Sequence, residues 1–344
     1  MRKELALIDK LEKIENEQGP LATASIAPLL DLSLIYVAQD RCPDAISMLK
    51  RGIRVSQVAH GLFNPEQLEL IEPLNECYLA LELPEEFERQ QQNSLLIADI
   101  NYGKDNPDIL PVLKGTALWY EEAGWYFSAR KLYTRSIEIL EKAEGPMDLR
   151  LVDLLRSVAR THRLEYLYSD AESKGLEPRL DSAGEKSLHR AIRILRSQPE
   201  IDQAELVDAM LDLGDWHQMG HARQDALRVY KDAWLESRTP DYNGTALFRD
   251  PMPVPYRPQG IGVALHRPQK DKGNYHLYSV DFDFTVTRDG AIEDVQVVSS
   301  NAPGNYQSRL TNNFKSTRYR PRFVEGEPVA TQHVRRQQRM YVAK

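Results

Sequence analysis

The chain has 344 residues, of which 42% are hydrophobic and 28% are charged, and its formal net charge is −7. This length predicts about two domains, because single hydrophobic cores rarely exceed about 250 residues. No run of residues approaches the ~18 consecutive apolar side chains of a membrane-spanning helix, so the sequence excludes a membrane span.

The charge is unevenly distributed along the chain. From residue 275 onward there are ten Lys and Arg residues and seven Asp and Glu residues, so the end of the chain is basic and the remainder is acidic. The basic residues lie on predicted strands without interleaved aromatic side chains that could stack on bases. We therefore expect solvated strand faces and no nucleic-acid partner.

The first two-thirds of the sequence repeats with a period of 42 residues. A fixed period of this size predicts stacked supersecondary units, none of which buries its apolar face alone. Positions that keep the interval are Gly19, Gly61, Gly103 and Gly145; Tyr36, Tyr78 and Tyr120; Pro65 and Pro107; and Ala45, Phe87 and Ala129.

Residues between the periodic segments predict a pair of helices in each unit. Each repeated glycine suits the left-handed position that ends a helix. Asn106, Pro107 and Asp108 suit the N-cap, the first helical position and the first turn of the next helix. The pattern resembles tetratricopeptide repeats, and its period resembles the kinesin-light-chain type. The resemblance implies an α-solenoid of about five helix pairs over residues 1–236, with a polar insertion loop at about 169–185.

A proline-rich stretch, residues 237–274, separates the repeats from the end of the chain. Because proline fixes φ and lacks a backbone donor, this stretch is predicted to be an extended connector.

Residues 275–344 predict a small α+β domain of the order β-β-α-β-β. Tyr278 to Val286 alternates apolar and polar residues, as a half-buried strand does, and Asp289-Gly290 predicts a type I′ hairpin turn. A second strand follows from Ile292, with a bulge expected near Glu293-Asp294. A short helix, a strand over 318–323 and a long strand over 329–342 complete the domain.

This order resembles the C-terminal domain of TonB-type energy transducers. The matching landmarks are Thr287-Arg-Asp-Gly290, the strand end Asp294–Ser300, Phe314 before Tyr319-Arg-Pro321, and the Gly326–Val329 entry to the last strand. The resemblance implies a periplasmic protein of TonB-linked outer-membrane transport. It also implies a receptor segment of the outer membrane as partner, bound by strand addition.

Two surfaces are candidate protein-binding sites. The tetratricopeptide register predicts a groove lined by charged residues of the first helix in each pair: Glu72, Glu76, Lys114, Glu121, Arg156, Arg160 and Arg163. The last strand predicts an exposed sheet edge that accepts a partner strand, at Val329, Thr331, His333 and Arg335. Charges on a solvated face, and arginines that keep an edge from aggregating, are the alternatives.

No motif for catalysis, cofactor binding or metal binding is found. The sequence has no glycine-rich phosphate loop, no His-Glu-x-x-His helix and no nucleophile elbow. His217 and His221 have the i, i+4 spacing of a metal pair but lack further His or Cys ligands nearby. Cys42 and Cys77 are the only cysteines; Cys77 is expected to be a buried thiol, and a disulfide between them stays open.

The sequence therefore predicts a non-enzymatic protein–protein interaction module that binds protein or peptide partners. The first hypothesis is a periplasmic adaptor or energy-transducer-like protein of TonB-linked transport. The alternative is a general periplasmic scaffold or assembly factor unrelated to energised transport. An enzyme that uses the neighbourhood of His217 is a third hypothesis.

Overall fold

The computed structural model describes residues 2–168, 180–254 and 275–343, which are mostly helical and end in a strand-rich region. The chain forms two compact units, Met1–Trp119 and Tyr120–Lys344. This division lies inside the repeats. The predicted domains, residues 1–236, 237–274 and 275–344, follow the change from repeats to strands and stay a prediction. No described helix combines the length and apolar character that crossing a membrane requires.

Consecutive helices pack against one another in both units. The helices are α1 (Arg2–Gln18), α2 (Ile26–Ala38), α3 (Cys42–His60), α4 (Gln67–Ala80), α5 (Pro84–Tyr102), α6 (Leu110–Glu122), α7 (Tyr126–Glu144), α8 (Leu151–Tyr168), α9 (Ser182–Arg196), α10 (Gln203–Met219), α11 (Arg223–Glu236) and α12 (Gly304–Lys315). The pairs α2–α3, α4–α5, α8–α9 and α10–α11 are in contact. These four of the helix pairs predicted from the 42-residue period are confirmed.

The periodic positions have the roles that the repeat predicts. Tyr36, Tyr78 and Tyr120 are all buried, and they lie on α2, α4 and α6. Gly61 and Gly103 have φ of 98° and 89°, where a Cβ would be strained, and each donates its N–H to the carbonyl four residues earlier. A glycine is therefore required where each of these long helices ends.

Both cysteines belong to the first unit and are buried free thiols. Burial raises the pKa of Cys77 to about 12, and the neighbouring Cys42 thiol contributes to the same increase. The predicted buried thiol at Cys77 is confirmed.

The predicted insertion loop covers about residues 169–185, and its residues 169–179 lie outside the described residues. Helix α9 begins at Ser182, whereas the sequence predicted a loop as far as about residue 185. The earlier start follows from an N-cap that the prediction missed. Asp181 accepts a hydrogen bond from the Ala183 N–H at 2.9 Å, which satisfies a donor of the first turn.

The described part of the predicted connector forms short strands. Strand β1 (Arg238–Thr239) pairs with β2 (Tyr242–Asn243). Strand β3 (Met252–Val254) pairs antiparallel with β6 (Arg318–Arg320), and buries Val254. Residues 255–274 lie outside the described residues. The segment before them is thus part of the fold of the second unit, and the prediction of a purely extended connector is wrong there.

A three-stranded antiparallel sheet and one helix form the core of the C-terminal region. Strand β4 (Tyr275–Val286) lies between β5 (Ile292–Ser300) and β9 (Thr331–Ala343). Its apolar residues face α12, and the rings of Phe282 and Phe314 stack with centroids 4.3 Å apart. The predicted alternation is confirmed. The predicted bulge is also confirmed, because the register shifts beside Asp294, whose φ is 55°.

Three sequence predictions for this region are wrong in detail. In the hairpin only Gly290 has positive φ, and Thr287 bonds Ala291 around a three-residue loop, so the turn is not type I′. Pro321 divides the predicted strand over 318–323 into β6 and β7 (Arg322–Val324). The predicted strand over 329–342 is also divided, because β8 (Glu327–Val329) pairs with β7 while β9 pairs with β4.

Candidate functional site

Helix α8 of the second unit presents three arginines to one small cavity. Arg156, Arg160 and Arg163 are spaced four and three residues apart, so they share one face of the helix. The opposite face carries buried apolar residues such as Leu155 and Val158, which fix the orientation of the helix. The cavity has a volume of about 230 Å³ and is lined by Asp153, Arg156, Ala159, Arg160, Arg163, Leu188, Asp212 and Trp216.

Two of the three guanidinium groups have close carboxylate partners. Arg156 Nε donates to Asp212 Oδ2 at 2.8 Å, and Arg160 Nε donates to Glu121 Oε1 at 2.5 Å. Burial alone lowers the pKa of Arg160, but the hydrogen bond to Glu121 and its charge raise it by more. Both arginines are therefore held in place by neutralising partners.

Arg163 is the arginine with spare binding capacity. Its ion pair with Asp212 Oδ1 measures 4.0 Å, and that carboxylate already accepts the close hydrogen bond from Arg156. A guanidinium carries five N–H donors. The side chain of Arg163 is 21% exposed. It therefore offers a partly desolvated positive charge at the cavity.

Three side chains in the lining of the cavity are apolar and buried. Ala159, Leu188 and Trp216 are buried there, and they come from α8, α9 and α10. Behind the arginines, the Tyr133 hydroxyl donates to Glu121 at 3.2 Å. Burial, followed by the Glu121 charge, raises the pKa of Tyr133 to about 12, so this hydroxyl keeps its proton at neutral pH. The site therefore combines three arginines and two aspartates with three apolar side chains.

The structure groups the predicted groove residues by unit. Glu121, Arg156, Arg160 and Arg163 lie in the second unit, where they form the pairs above. Glu72 and Glu76 are exposed on α4, and Lys114 is exposed on α6, all within the first unit.

Sequence reasoning missed Asp212, the carboxylate that both Arg156 and Arg163 approach. It lies on α10, 56 residues after Arg156. Because that separation is not a multiple of the repeat period, the period gave no signal for this partner.

The second candidate site is the outer edge of β9. Among the described strands, β9 pairs only with β4, so its other edge has no partner strand. Of the predicted edge residues, Val329 belongs to β8 and Thr331 begins β9. His333 has φ of 54° beside a register shift, and Arg335 lies in the regular ladder. His333 and Arg335 are highly exposed, and each approaches an Asp283 carboxylate oxygen at 3.3 Å.

Comparisons with known proteins identify no family. No family model and no curated protein matches the sequence. Among solved structures, nearly identical TPR-like repeats assigned to a kinesin light chain of Podosopora anserina align with a TM-score of 0.47 at 13% identity, covering 62% of this chain and 96% of that chain. BtubC (BKLC) from P. vanneervenii aligns with a TM-score of 0.46 at 13% identity, over 68% and 89% of the two chains.

PilF of Pseudomonas Aeruginosa is also similar, with a TM-score of 0.34 at 13% identity over 62% of this chain and 77% of that chain. At TM-scores this low, we infer neither a family nor a partner from these similarities.

Proposed function

We propose that this chain is a non-enzymatic protein-binding module whose second unit binds a carboxylate of a partner segment in the arginine cavity. The observation that supports this most directly is Arg163. Its only described carboxylate contact, with Asp212, is 4.0 Å long and shared with Arg156. A carboxylate of a partner would accept a bidentate pair from this guanidinium, the strongest kind of hydrogen-bonded contact that arginine makes.

The size of the cavity favours a peptide group over a small-molecule ligand. A volume of about 230 Å³ is below the ~300–1,000 Å³ of typical cofactor and drug-sized sites. It suits one side chain or one chain terminus. The buried Trp216 and Leu188 would contact the methylene groups next to the carboxylate, while the rest of the partner stays on the surface.

A peptide screen tests the proposal. We expect an array of short peptides to select acidic side chains or free C-terminal carboxylates, and binding to weaken as salt is added. The Arg163→Ala variant should lose this selection. Arg54→Ala is the matched control, because it removes the same charge from an exposed position in the first unit. Equal binding by wild type and Arg163→Ala would contradict the proposal.

A second function, adaptor or transducer-like action in TonB-linked transport, rests on the sequence resemblance and on the open edge of β9. In this proposal the protein is periplasmic, and a segment of an outer-membrane receptor adds to β9 as a further strand. The bulge at His333 disfavours pairing of a partner strand with the start of this edge, because an irregular strand is a poor template for pairing. Strand addition would therefore begin at about Val334.

Proline substitutions at Arg335 and Arg336, each made singly, test strand addition. Neighbouring residues of a strand direct their N–H groups to opposite edges, so one of the two prolines removes a donor from the open edge. We expect that variant to lose capture of a receptor peptide while circular dichroism of the helices is unchanged. Capture that survives both prolines would exclude strand addition and favour a general scaffold function for the chain.

A further inference from the structure

A histidine and glutamate cluster lies on the second unit, apart from the arginine cavity and the β9 edge. Glu185 and His189 are one turn apart on α9, and His217 lies on the neighbouring helix α10. Glu185 Oε1 is 3.9 Å from His189 Nε2 and 3.9 Å from His217 Nε2. The three ligand-type atoms all lie within 4.8 Å of one another.

These separations are too long for hydrogen bonds and close to those around a bound metal. A nitrogen–oxygen hydrogen bond requires about 2.7–3.2 Å, so the three groups do not satisfy one another. With two separations of 3.9 Å and a third of at most 4.8 Å, the point equidistant from the three atoms lies at most about 2.5 Å from each, and zinc binds histidine nitrogen at about 2.0–2.1 Å. Small rotations of the side chains would close the difference.

We propose that Glu185, His189 and His217 form a binding site for a divalent transition metal, with Zn²⁺ as the preferred ion. Two imidazoles and one carboxylate are a donor set that suits zinc. The pattern that brings them together is a Glu-x-x-x-His turn on one helix and a single histidine on the next. The sequence pair His217 and His221 is not this site, because His221 occupies the α10–α11 turn with φ of 63° and is not in the cluster.

Three protein ligands would leave the fourth position of a tetrahedral zinc site to water. Glu185, His189 and His217 line a cavity of about 320 Å³ together with Asp225 and Arg228. Asp225 Oδ1 accepts a hydrogen bond from Arg228 at 2.5 Å, and Asp225 is not one of the three clustered groups. Water would complete the coordination from the cavity. Because α9 and α10 each supply ligands, the bound ion would also link the last two helix pairs.

Metal titration of the untagged full chain tests the site. After removal of metal with a chelator, we expect one Co²⁺ per chain, seen by its visible absorption, and displacement of that Co²⁺ by Zn²⁺. His189→Ala and Glu185→Gln should each weaken binding at least about tenfold, since each removes one ligand of three. Both side chains are substantially exposed, so these variants are expected to fold.

The matched control is His221→Ala, which removes a histidine four residues from His217 but outside the cluster. It should bind the metal as wild type does. Thermal melting provides an independent readout, because zinc that binds the folded chain should raise the melting temperature of wild type and of His221→Ala only. No uptake by wild type, or wild-type affinity in His189→Ala, would overturn the assignment.

Discussion

Arg320 of β6 and Asp215 of α10 form an ion pair at 3.0 Å, in which each side chain is 13% exposed and the two residues are 105 positions apart. The Tyr230 hydroxyl donates to the same carboxylate at 2.7 Å, and the Arg320 guanidinium lies over the Tyr230 ring. Burial lowers the pKa of Arg320, but the Asp215 charge and the contacts beside it raise it by more. The strand-rich region is therefore anchored on the last helix pair.

Arg320→Ala is predicted to release this anchor. Removing one partner of a buried ion pair leaves an uncompensated charge and costs about 3–5 kcal/mol. We expect faster hydrogen exchange in residues 275–343 and a lower melting temperature. Arg322→Ala is the matched control, because Arg322 is exposed two residues further along the chain and makes no described ion pair. If both variants exchange alike, the ion pair does not hold the region in place.

Gly290→Ala is predicted to weaken the packing of the strand-rich region against α10 at a second place. Gly290 has φ of 78°, and an added Cβ would lie 2.0 Å from the Tyr319 carbonyl oxygen and 2.3 Å from Gln218 Nε2. Gln218 donates to the carbonyls of Asp289 and Tyr319, so the clash would also break these hydrogen bonds. The left-handed conformation alone costs alanine about 1–2 kcal/mol.

Urea unfolding checks the Gly290 prediction. Gly304→Ala serves as its control, because Gly304 begins α12 and an added Cβ there meets no atom within 4 Å. We expect a lower unfolding midpoint for Gly290→Ala and an unchanged or slightly higher one for Gly304→Ala. Equal midpoints would show that the turn has room to adjust.

Acidification is predicted to destabilise the second unit through His162. Burial lowers the pKa of His162, and the charge of Arg130 lowers it further, against smaller opposing effects of Asp181 and Glu165. Because the folded pKa is below the unfolded value of about 6.5, the unfolded state takes up the proton first. The stability is fully present above about pH 6.5 and is lost as the pH falls toward the folded pKa.

Melting temperatures at about pH 7.5 and about pH 5.5 measure this dependence on either side of the unfolded pKa. His162→Gln should show a smaller loss on acidification than wild type, whereas His221→Gln, at an exposed position, should keep the wild-type loss. A loss in His162→Gln as large as that in wild type would assign the pH dependence to other groups.

Features set by local chemistry could be predicted from the sequence. The glycines that end α3 and α5, the burial of Tyr36 and Tyr78, and the alternation in β4 each depend on residues within a few positions of one another. The 42-residue period then predicts the same helix ends and buried positions in the other repeats. The arginine face of α8 followed from the same register.

Contacts between distant segments could not be predicted. The partner of β6 is β3, a strand from the proline-rich stretch, and residues 318–323 alone carry no signal for that pairing. Arg320 and Asp215 likewise meet only because β6 lies against α10. The metal cluster was missed for the same reason, since the partner of His217 is on the preceding helix and not one turn along its own.

The proposed binding of a partner carboxylate by Arg163 is tested most directly by a double-mutant cycle. The affinity of an acidic peptide and of its amidated form is measured with wild type and with Arg163→Ala. A hydrogen bond to a charged group contributes about 1.5–3 kcal/mol, so amidation should weaken binding to wild type by about tenfold or more. It should change binding to Arg163→Ala little. The same loss on amidation in both proteins would contradict the claim.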